Sequence, residues 1–206
     1  MTPSRILGAI LAGGASRRFG ADKSAALLGG RTLLERVVER AGPQVDTLLL
    51  NTNDAALGEQ VPGIEQLADN APGEGPIAGI LAALLQAERR GFTHVASFAC
   101  DTPFFPRDAV SRLAEALQSS KSDYAVARCA GTIHRIFALW PATCRLRLEQ
   151  AFASGARSMR DIETWLAPDW ADFAPEGGPE GDPFFNINTP DDLAKAECWL
   201  ADASFS

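Results

Sequence analysis

Residues 11–23, LAGGASRRFGADK, interleave three glycines with three cations and follow directly on an uncharged apolar run from Ile6 to Leu11. Glycine lets a chain take positive φ and bring its N–H groups close to a ligand, while guanidinium and ammonium groups neutralise charge that backbone dipoles alone would leave. A buried strand emptying into Gly13, Gly14 and Gly20, with Arg17, Arg18 and Lys23 between and beyond them, therefore reads as a loop that wraps a polyphosphate. It is not a Walker A loop, because Ala21 and Asp22 separate Gly20 from Lys23. No G-x-G-x-x-G runs through Gly13 and Gly14 either, so the dinucleotide fingerprint is absent. The plainer alternative is a Gly-rich turn with solvated basic residues; three cations so close to the turn weigh against it.

Ligands of open α/β sheets gather at the carboxyl ends of the strands. The polar residues at such ends are Asn51, Asp69, Asp101, and Asn186 with Asn188 after Phe184-Phe185. Each has a local explanation. Asn51 could serve a turn, Asp69 could simply precede the turn-forming DNAPGEGP, and Asp101 could form an Asx turn with Thr102-Pro103. Their convergence on one rim is what gives them a common purpose.

The elements that must position these residues alternate. Thr32 and Glu35 have capping-box spacing, and Leu33, Leu34, Val37, Val38 and Ala41 supply one apolar helical face before Gly42-Pro43 stops it. Thr47 to Asn51 and Ile64 to Leu67 are strand candidates. Pro76 opens a helix reaching about Arg90 and closed by Gly91. His94 to Ala99 reads as a strand ending at Asp101, with Arg107 to Gln118 as the helix after it. Tyr124 to Ala127 and Ile133 to Trp140 read as strands, Ala142 to Ala153 and Ser158 to Leu166 as helices. The Gly- and Pro-rich stretch Pro175 to Pro183 is expected to be a mobile loop, and Thr189 caps a last helix with Pro190 at its first position. This alternation predicts an α/β protein with three α/β/α layers around a mostly parallel sheet.

Composition agrees with a one-domain enzyme. A 206-residue chain can bury about 70% of its unfolded surface in a single core. A net charge of −7 argues against a nucleic-acid or anionic-membrane surface, so any anion site must be local. Cys100, Cys129, Cys144 and Cys198 form no C-x-x-C pair, which favours free thiols in a reducing compartment. Ile6 to Leu11 is too short to span a bilayer and has no basic leader, so a cytoplasmic location is expected.

Four segments together carry a resemblance. LAGGASRRFGADK, PGEGPIAGI at 72–80, CDTPFFP at 100–106 and FNINTPDDL at 185–193 are similar, in the same order, to the signature segments of molybdenum cofactor guanylyltransferases, the MobA group of Rossmann-like nucleotidyltransferases. The resemblance implies transfer of GMP from GTP to molybdopterin, with Mg²⁺. GTP and molybdopterin would be the small-molecule partners, and molybdopterin-synthesis proteins and acceptor molybdoenzymes the protein partners of a monomer. Position by position, it implies that Leu11, Ala12, Gly13, Gly14, Asn51, Asp69 and Asp101 form the GTP site. Lys23 and Arg18 would lie on the triphosphate and Asp101 on the metal, while Asn186 and Asn188 would face the pterin or support the metal. The first half, about 1–105, would then bind GTP and the second, about 106–200, the pterin. Phe19 and Arg135 depart from the usual family residues at their positions.

The chemistry suits these residue types. Phosphoryl transfer to an ionised phosphate needs alignment and charge neutralisation more than a base. One carboxylate, substrate oxygens and waters suit Mg²⁺, which makes Asp101 the favoured ligand. His134 is accordingly read as a substrate-edge or structural residue, and His94, inside a strand, as neither catalyst nor ligand. The tryptophans are read as core or helix-face residues. Three alternatives stay open: a cytidylyltransferase on the same pterin, against which Gly13 of LAGG argues; a sugar- or polyol-phosphate nucleotidyltransferase, against which NINTPDDL argues; and a non-catalytic nucleotide-binding module, which would be expected to have lost Lys23 or Asp101.

Overall fold

The computed structural model describes residues 4–12, 26–68, 74–119 and 121–203. Strand β1 (Ile6–Leu11) is the uncharged run before the glycine loop, and its apolar residues are covered on both faces, as a central parallel strand requires. A small hairpin of β2 (Leu27–Leu28) and β3 (Arg31–Thr32) leads into α1 (Leu33–Ala41). The predicted capping box is formed: the Glu35 N–H donates to Thr32 Oγ1 at 3.1 Å and the Thr32 N–H to Glu35 Oε2 at 2.7 Å. Strand β4 (Thr47–Asn51), the short helix α2 (Ala55–Glu59) and β5 (Glu65–Leu67) follow. Helix α3 (Pro76–Arg90) begins at proline and ends at Gly91, whose φ of +71° is a left-handed cap.

Strand β6 (His94–Ala99) and α4 (Ala109–Gln118) complete the first half of the chain. Strands β7 (Tyr124–Cys129) and β8 (Thr132–Pro141) form a hairpin whose two turn residues, Ala130 and Gly131, both have positive φ, the signature of a tight primed turn. The helix expected over 142–153 is in fact a 3₁₀ turn, Ala142–Cys144, running into α5 (Arg145–Ala153). The short helix α6 (Met159–Ile162) has its own capping box from Ser158 and Asp161. Strand β9 (Pro168–Phe173) was not expected. Between β9 and the last helix, the Gly- and Pro-rich stretch winds through a 3₁₀ turn at Pro179–Gly181, where Gly178 packs so closely that an added Cβ would stand 2.0 Å from the Asp182 carbonyl oxygen. Helix α7 (Pro190–Ala203) starts where predicted, with the Asp192 N–H donating to Thr189 Oγ1 at 3.1 Å.

Seven strands form one sheet in the order β5-β4-β1-β6-β8-β7-β9. β8 alone runs against the rest, pairing antiparallel with β6 and β7, while the other pairs are parallel. One face packs Leu7, Leu49, Val95 and Trp140 against α3 and α5; the other packs Ile10, Leu50, Phe98 and Phe137 against α1 and α4. A third cluster lets α7 close over the β2–β3 hairpin through Leu28, Phe104, Ile187 and Ala196. No helix among the described residues is long and apolar enough to cross a membrane.

Candidate active site

Strands β5, β4, β1 and β6 run parallel and end level. Leu11 is in register with Asn51 on one side and Ala99 on the other, and Asn51 with Leu67. The sheet order also reverses at β1, since the chain adds β4 and β5 to one side before α3 carries it to β6 on the other. That is the switch point at which open α/β sheets leave a crevice for ligands. Hydrogen bonds continue past the last ladder pairs, from the Ala12 N–H to the Asn51 carbonyl at 2.9 Å and from the Thr52 N–H to the Leu67 carbonyl at 3.1 Å. The rim is therefore a continuous hydrogen-bonded backbone edge, and the glycine-rich sequence from residue 13 onward follows from its centre.

The rim residues divide into braces and presented groups. Asn51 is 3% exposed and donates its amide to the Leu67 carbonyl at 3.0 Å. Its Oδ1 lies against the Cα of Gly79 on α3, so closely that a Cβ there would stand 2.2 Å away. Asn51 thus ties β4, β5 and α3 together beneath the crevice. Thr52, also buried, reaches from Oγ1 to the Ala12 carbonyl at 3.4 Å and accepts from the Asp54 N–H at 3.0 Å. Sequence reasoning passed over Thr52; its one signal was its place directly after the strand. Asp101, two residues beyond the end of β6, is half-buried and accepts from Thr102 Oγ1 at 3.3 Å.

The segment with Asn186 and Asn188 joins this rim through backbone: the Ile187 N–H donates to the Asp101 carbonyl at 2.9 Å. Phe185 and Ile187 are buried and Asn186 and Asn188 exposed, an alternation that anchors the segment by its apolar residues and leaves both amides at the surface. The Asn188 N–H donates to Asp192 Oδ2 at 3.0 Å. The described residues therefore bring Leu11, Ala12, Asn51, Asp101, Asn186 and Asn188 to one edge. Gly13, Gly14, Arg18, Lys23 and Asp69 lie outside the described residues.

His134 stands on β8, its ring stacked on Phe184 at 4.6 Å between centroids and its Nε2 3.6 Å from Asp182 Oδ1. Burial lowers its pKa, with the Asp182 carboxylate pulling the other way. Its neighbour Arg135 forms an ion pair with Glu163 of 2.7 Å, which fastens β8 to the end of α6. Among the described residues no three His, Cys, Asp or Glu side chains gather closely enough to cage a metal. A divalent ion here would rest on a carboxylate such as Asp101 together with substrate oxygens and water, the coordination that Mg²⁺ favours.

A mostly parallel sheet whose order reverses at β1, with the Asp101 carboxylate at its rim, has the architecture of a Rossmann-like nucleotidyltransferase. Residues 8–169 match the MobA-like NTP transferase domain, and the chain belongs to that family. It is 44% identical over 204 residues to a molybdenum cofactor guanylyltransferase of Rhizobium leguminosarum bv. trifolii (strain WSM2304), covering 96% of this chain and 94% of that one. It is 41% identical over 197 residues to the protein of the same name from Rhizobium meliloti (strain 1021), covering 93% and 90%. Among solved structures, a molybdopterin-guanine dinucleotide biosynthesis protein A from Archaeoglobus fulgidus superposes with a TM-score of 0.75 at 28% identity, covering 95% of this chain and 99% of that one. A 4-diphosphocytidyl-2C-methyl-D-erythritol synthase from Anaerococcus prevotii, 14% identical, shares the fold with a TM-score of 0.72 over 96% of each chain.

Proposed function

We propose that this nucleotidyltransferase moves GMP from GTP to molybdopterin, giving molybdopterin guanine dinucleotide and pyrophosphate. The observation that carries the reading is the backbone tie between Ile187 and Asp101, which joins the edge of the nucleotide crevice to the segment expected on the pterin side. Similarity along nearly the whole chain to relatives bearing the guanylyltransferase name supports the same choice of substrates. A terminal phosphate oxygen of molybdopterin attacks the α-phosphorus of GTP, and the bond to the β-phosphate bridging oxygen breaks to release pyrophosphate. The nucleophile is already ionised at neutral pH, so the protein's task is alignment and charge neutralisation rather than proton removal.

In this reading the rim carries the nucleotide. Leu11, Ala12, Gly13 and Gly14 offer backbone to the guanine with little side-chain bulk, and Asn51 holds that backbone in place from beneath. Asp69 serves the base or ribose. Lys23 and Arg18 neutralise the triphosphate. Asp101 holds Mg²⁺, which when bound supplies further charge neutralisation on the phosphates. The pterin lies over the second half of the sheet, toward Asn186, Asn188 and His134. A monomer in the cytoplasm, meeting proteins of molybdopterin synthesis and acceptor molybdoenzymes, completes the proposal.

The deciding experiment is pyrophosphate release from GTP and from CTP with molybdopterin as acceptor. GTP is expected to be preferred by well over tenfold, because two or three base-specific hydrogen bonds contribute about 1–3 kcal/mol each. Gly13→Ala should erode that preference by placing a methyl group beside the base. Equal turnover of CTP, or an unchanged ratio in Gly13→Ala, would sink the guanine assignment while sparing the nucleotidyltransferase class.

A further inference from the structure

The sheet face opposite α3 carries a second concavity. Arg36 and Arg40 stand one turn apart on α1, and Arg107 precedes α4; together with Phe104 and Trp199 they line a cavity of about 130 Å³. Helix α1 runs from the β2–β3 hairpin toward the start of β4, so Arg40, on its last turn, lies toward the amino edge of the sheet, while Pro103 and Phe104, two and three residues beyond Asp101, form another part of the cavity wall.

Three guanidiniums meeting in a chain of net charge −7 call for an explanation. Among the described residues none of the three has a carboxylate in ion-pair contact. The cavity's one acidic residue, Glu39, is exposed and paired with Arg31 at 2.7 Å. Arg36 donates Nε to the Leu28 carbonyl at 2.7 Å and Nη2 to the Gly29 carbonyl at 3.3 Å, and Arg40 donates Nη1 to the Phe105 carbonyl at 3.0 Å. A guanidinium has five N–H donors, so both are anchored with donors to spare. Arg107 has no hydrogen-bond or ion-pair partner among the described residues. Burial first, and then the nearby Arg107, lower the Arg40 pKa, with the Glu39 carboxylate pulling the other way, so like charges lie within reach of one another at this cavity.

Three guanidiniums lining one cavity suit an oxyanion. Planar guanidinium forks match the oxygens of phosphate, and anchored forks lose little freedom on binding. The wall beside them is aromatic, with Trp199 edge-on to Phe104 at 4.7 Å between centroids. Arg40, Phe104 and Trp199 also line a neighbouring groove of about 320 Å³ with room for more than a single ion, whose lining includes Arg112 and the carboxylates of Asp108 and Glu176. We propose that Arg36, Arg40 and Arg107 form an oxyanion site for a phosphate-bearing small molecule, separate from the nucleotide crevice, with the phosphate among the guanidiniums and the rest of the molecule along Trp199.

Equilibrium dialysis with radiolabelled inorganic phosphate tests this on the full chain, with saturating GTP and no pterin so that the crevice is filled. One phosphate per chain should still bind. Arg107→Gln should weaken it at least about fivefold, the loss of a charge-assisted contact, while guanylyl transfer and thermal midpoint stay unchanged. Arg107→Lys should restore part of the affinity. 5′-AMP should bind more tightly than phosphate, and Trp199→Leu should remove the difference; equal binding of the two would overturn the placement of the rest of the molecule along Trp199. Loss of phosphate binding on adding GTP, full binding in Arg107→Gln, or displacement by a glutamate-rich peptide at lower concentration than by either phosphate compound would overturn the proposal. Failure of GTP turnover in the same preparation would count against the proposed function alone, since the Arg107→Gln comparison can be repeated without GTP.

Discussion

The two halves of the sheet solve different problems. On the side of β5, β4, β1 and β6 every strand points the same way, so four carboxyl ends arrive level and the rim is built from backbone braced by Asn51 and Thr52. On the side of β8, β7 and β9 the reversed β8 brings its amino end to that same edge, and side chains do the holding. Phe137, Phe173 and Phe184 pack ring against ring, and Arg128 pairs with Asp172 at 2.6 Å as Arg135 does with Glu163. A parallel half gives a uniform edge suited to one ligand backbone; a half with a reversed strand gives an edge of individual side chains. The proposed division, nucleotide on the first and pterin on the second, follows that contrast.

The largest expected effect lies on the parallel side. Asp101→Asn should cut kcat by ~10²-fold or more while leaving the unfolding midpoint nearly unchanged, because charge stabilisation is lost but the Thr102 contact can persist. Near-normal kcat at low Mg²⁺ would remove Asp101 from the metal and weaken the contrast between the halves. Next, Lys23→Ala should raise the KM for GTP or lower kcat about tenfold more than Arg17→Ala does, since one charged contact is worth about 1.5–3 kcal/mol. Equal small changes would reduce the basic loop residues to a solvated face.

Stability separates brace from ornament. Gly79→Ala places a Cβ against Asn51 Oδ1 and forces its amide off the Leu67 carbonyl, at a cost of about 1–3 kcal/mol. Gly42→Ala meets nothing within 4 Å and has an ordinary helical φ of −50°, so it should be close to neutral. Urea midpoints of the pair compare them directly. Equal midpoints would mean the rim is not braced from below.

The smallest effect belongs to the second half. Burial lowers the His134 pKa, so the folded state resists the proton that the unfolded chain accepts near its ordinary value of about 6.5. Its contribution to stability is full above that value and is lost as pH falls from there through the lowered folded pKa. Burial lowers His94 as well, with the same sign. His134→Gln should flatten part of the fall in urea midpoint between pH 7.5 and pH 5.5 while leaving the KM for GTP unchanged. A shifted KM for GTP would place His134 on the nucleotide side and break the division between halves.

Local signals were legible because they act within one helical turn or one strand. Thr32 with Glu35, Pro76 with Gly91, and Thr189 with Pro190 set helix ends that the structure reproduces, and the runs Thr47–Asn51 and His94–Ala99 are strands with those bounds. The same strand ends drew attention to Asn51 and Asp101. They could not show that Asn51 would spend its amide on Leu67, a residue 16 positions away, because that depends on β5 pairing beside β4.

What remained for the tertiary structure depends on partners distant in sequence. PDWADF carries a proline and two aspartates and has weak strand character of its own; it becomes β9 because β7 offers a free edge with which it can pair in parallel. The reversal of β8 depends on a two-residue turn at Ala130 and Gly131 that leaves no room for a crossover helix, so the strand must return antiparallel between β6 and β7. Likewise Arg36 and Arg40 are neighbours by helical spacing alone, but only the path of the chain after Asp101 brings Arg107 and Phe104 to them, and only α7 folding back supplies Trp199. The sequence by itself determined the helix ends at Thr32, Pro76, Gly91 and Thr189 and the strands Thr47–Asn51 and His94–Ala99, because hydrogen bonds and apolar periodicity within a segment suffice for those. Strand order, the braced rim and the guanidinium cluster were decided in three dimensions, because each is made of groups whose interaction exists only once distant segments pack together.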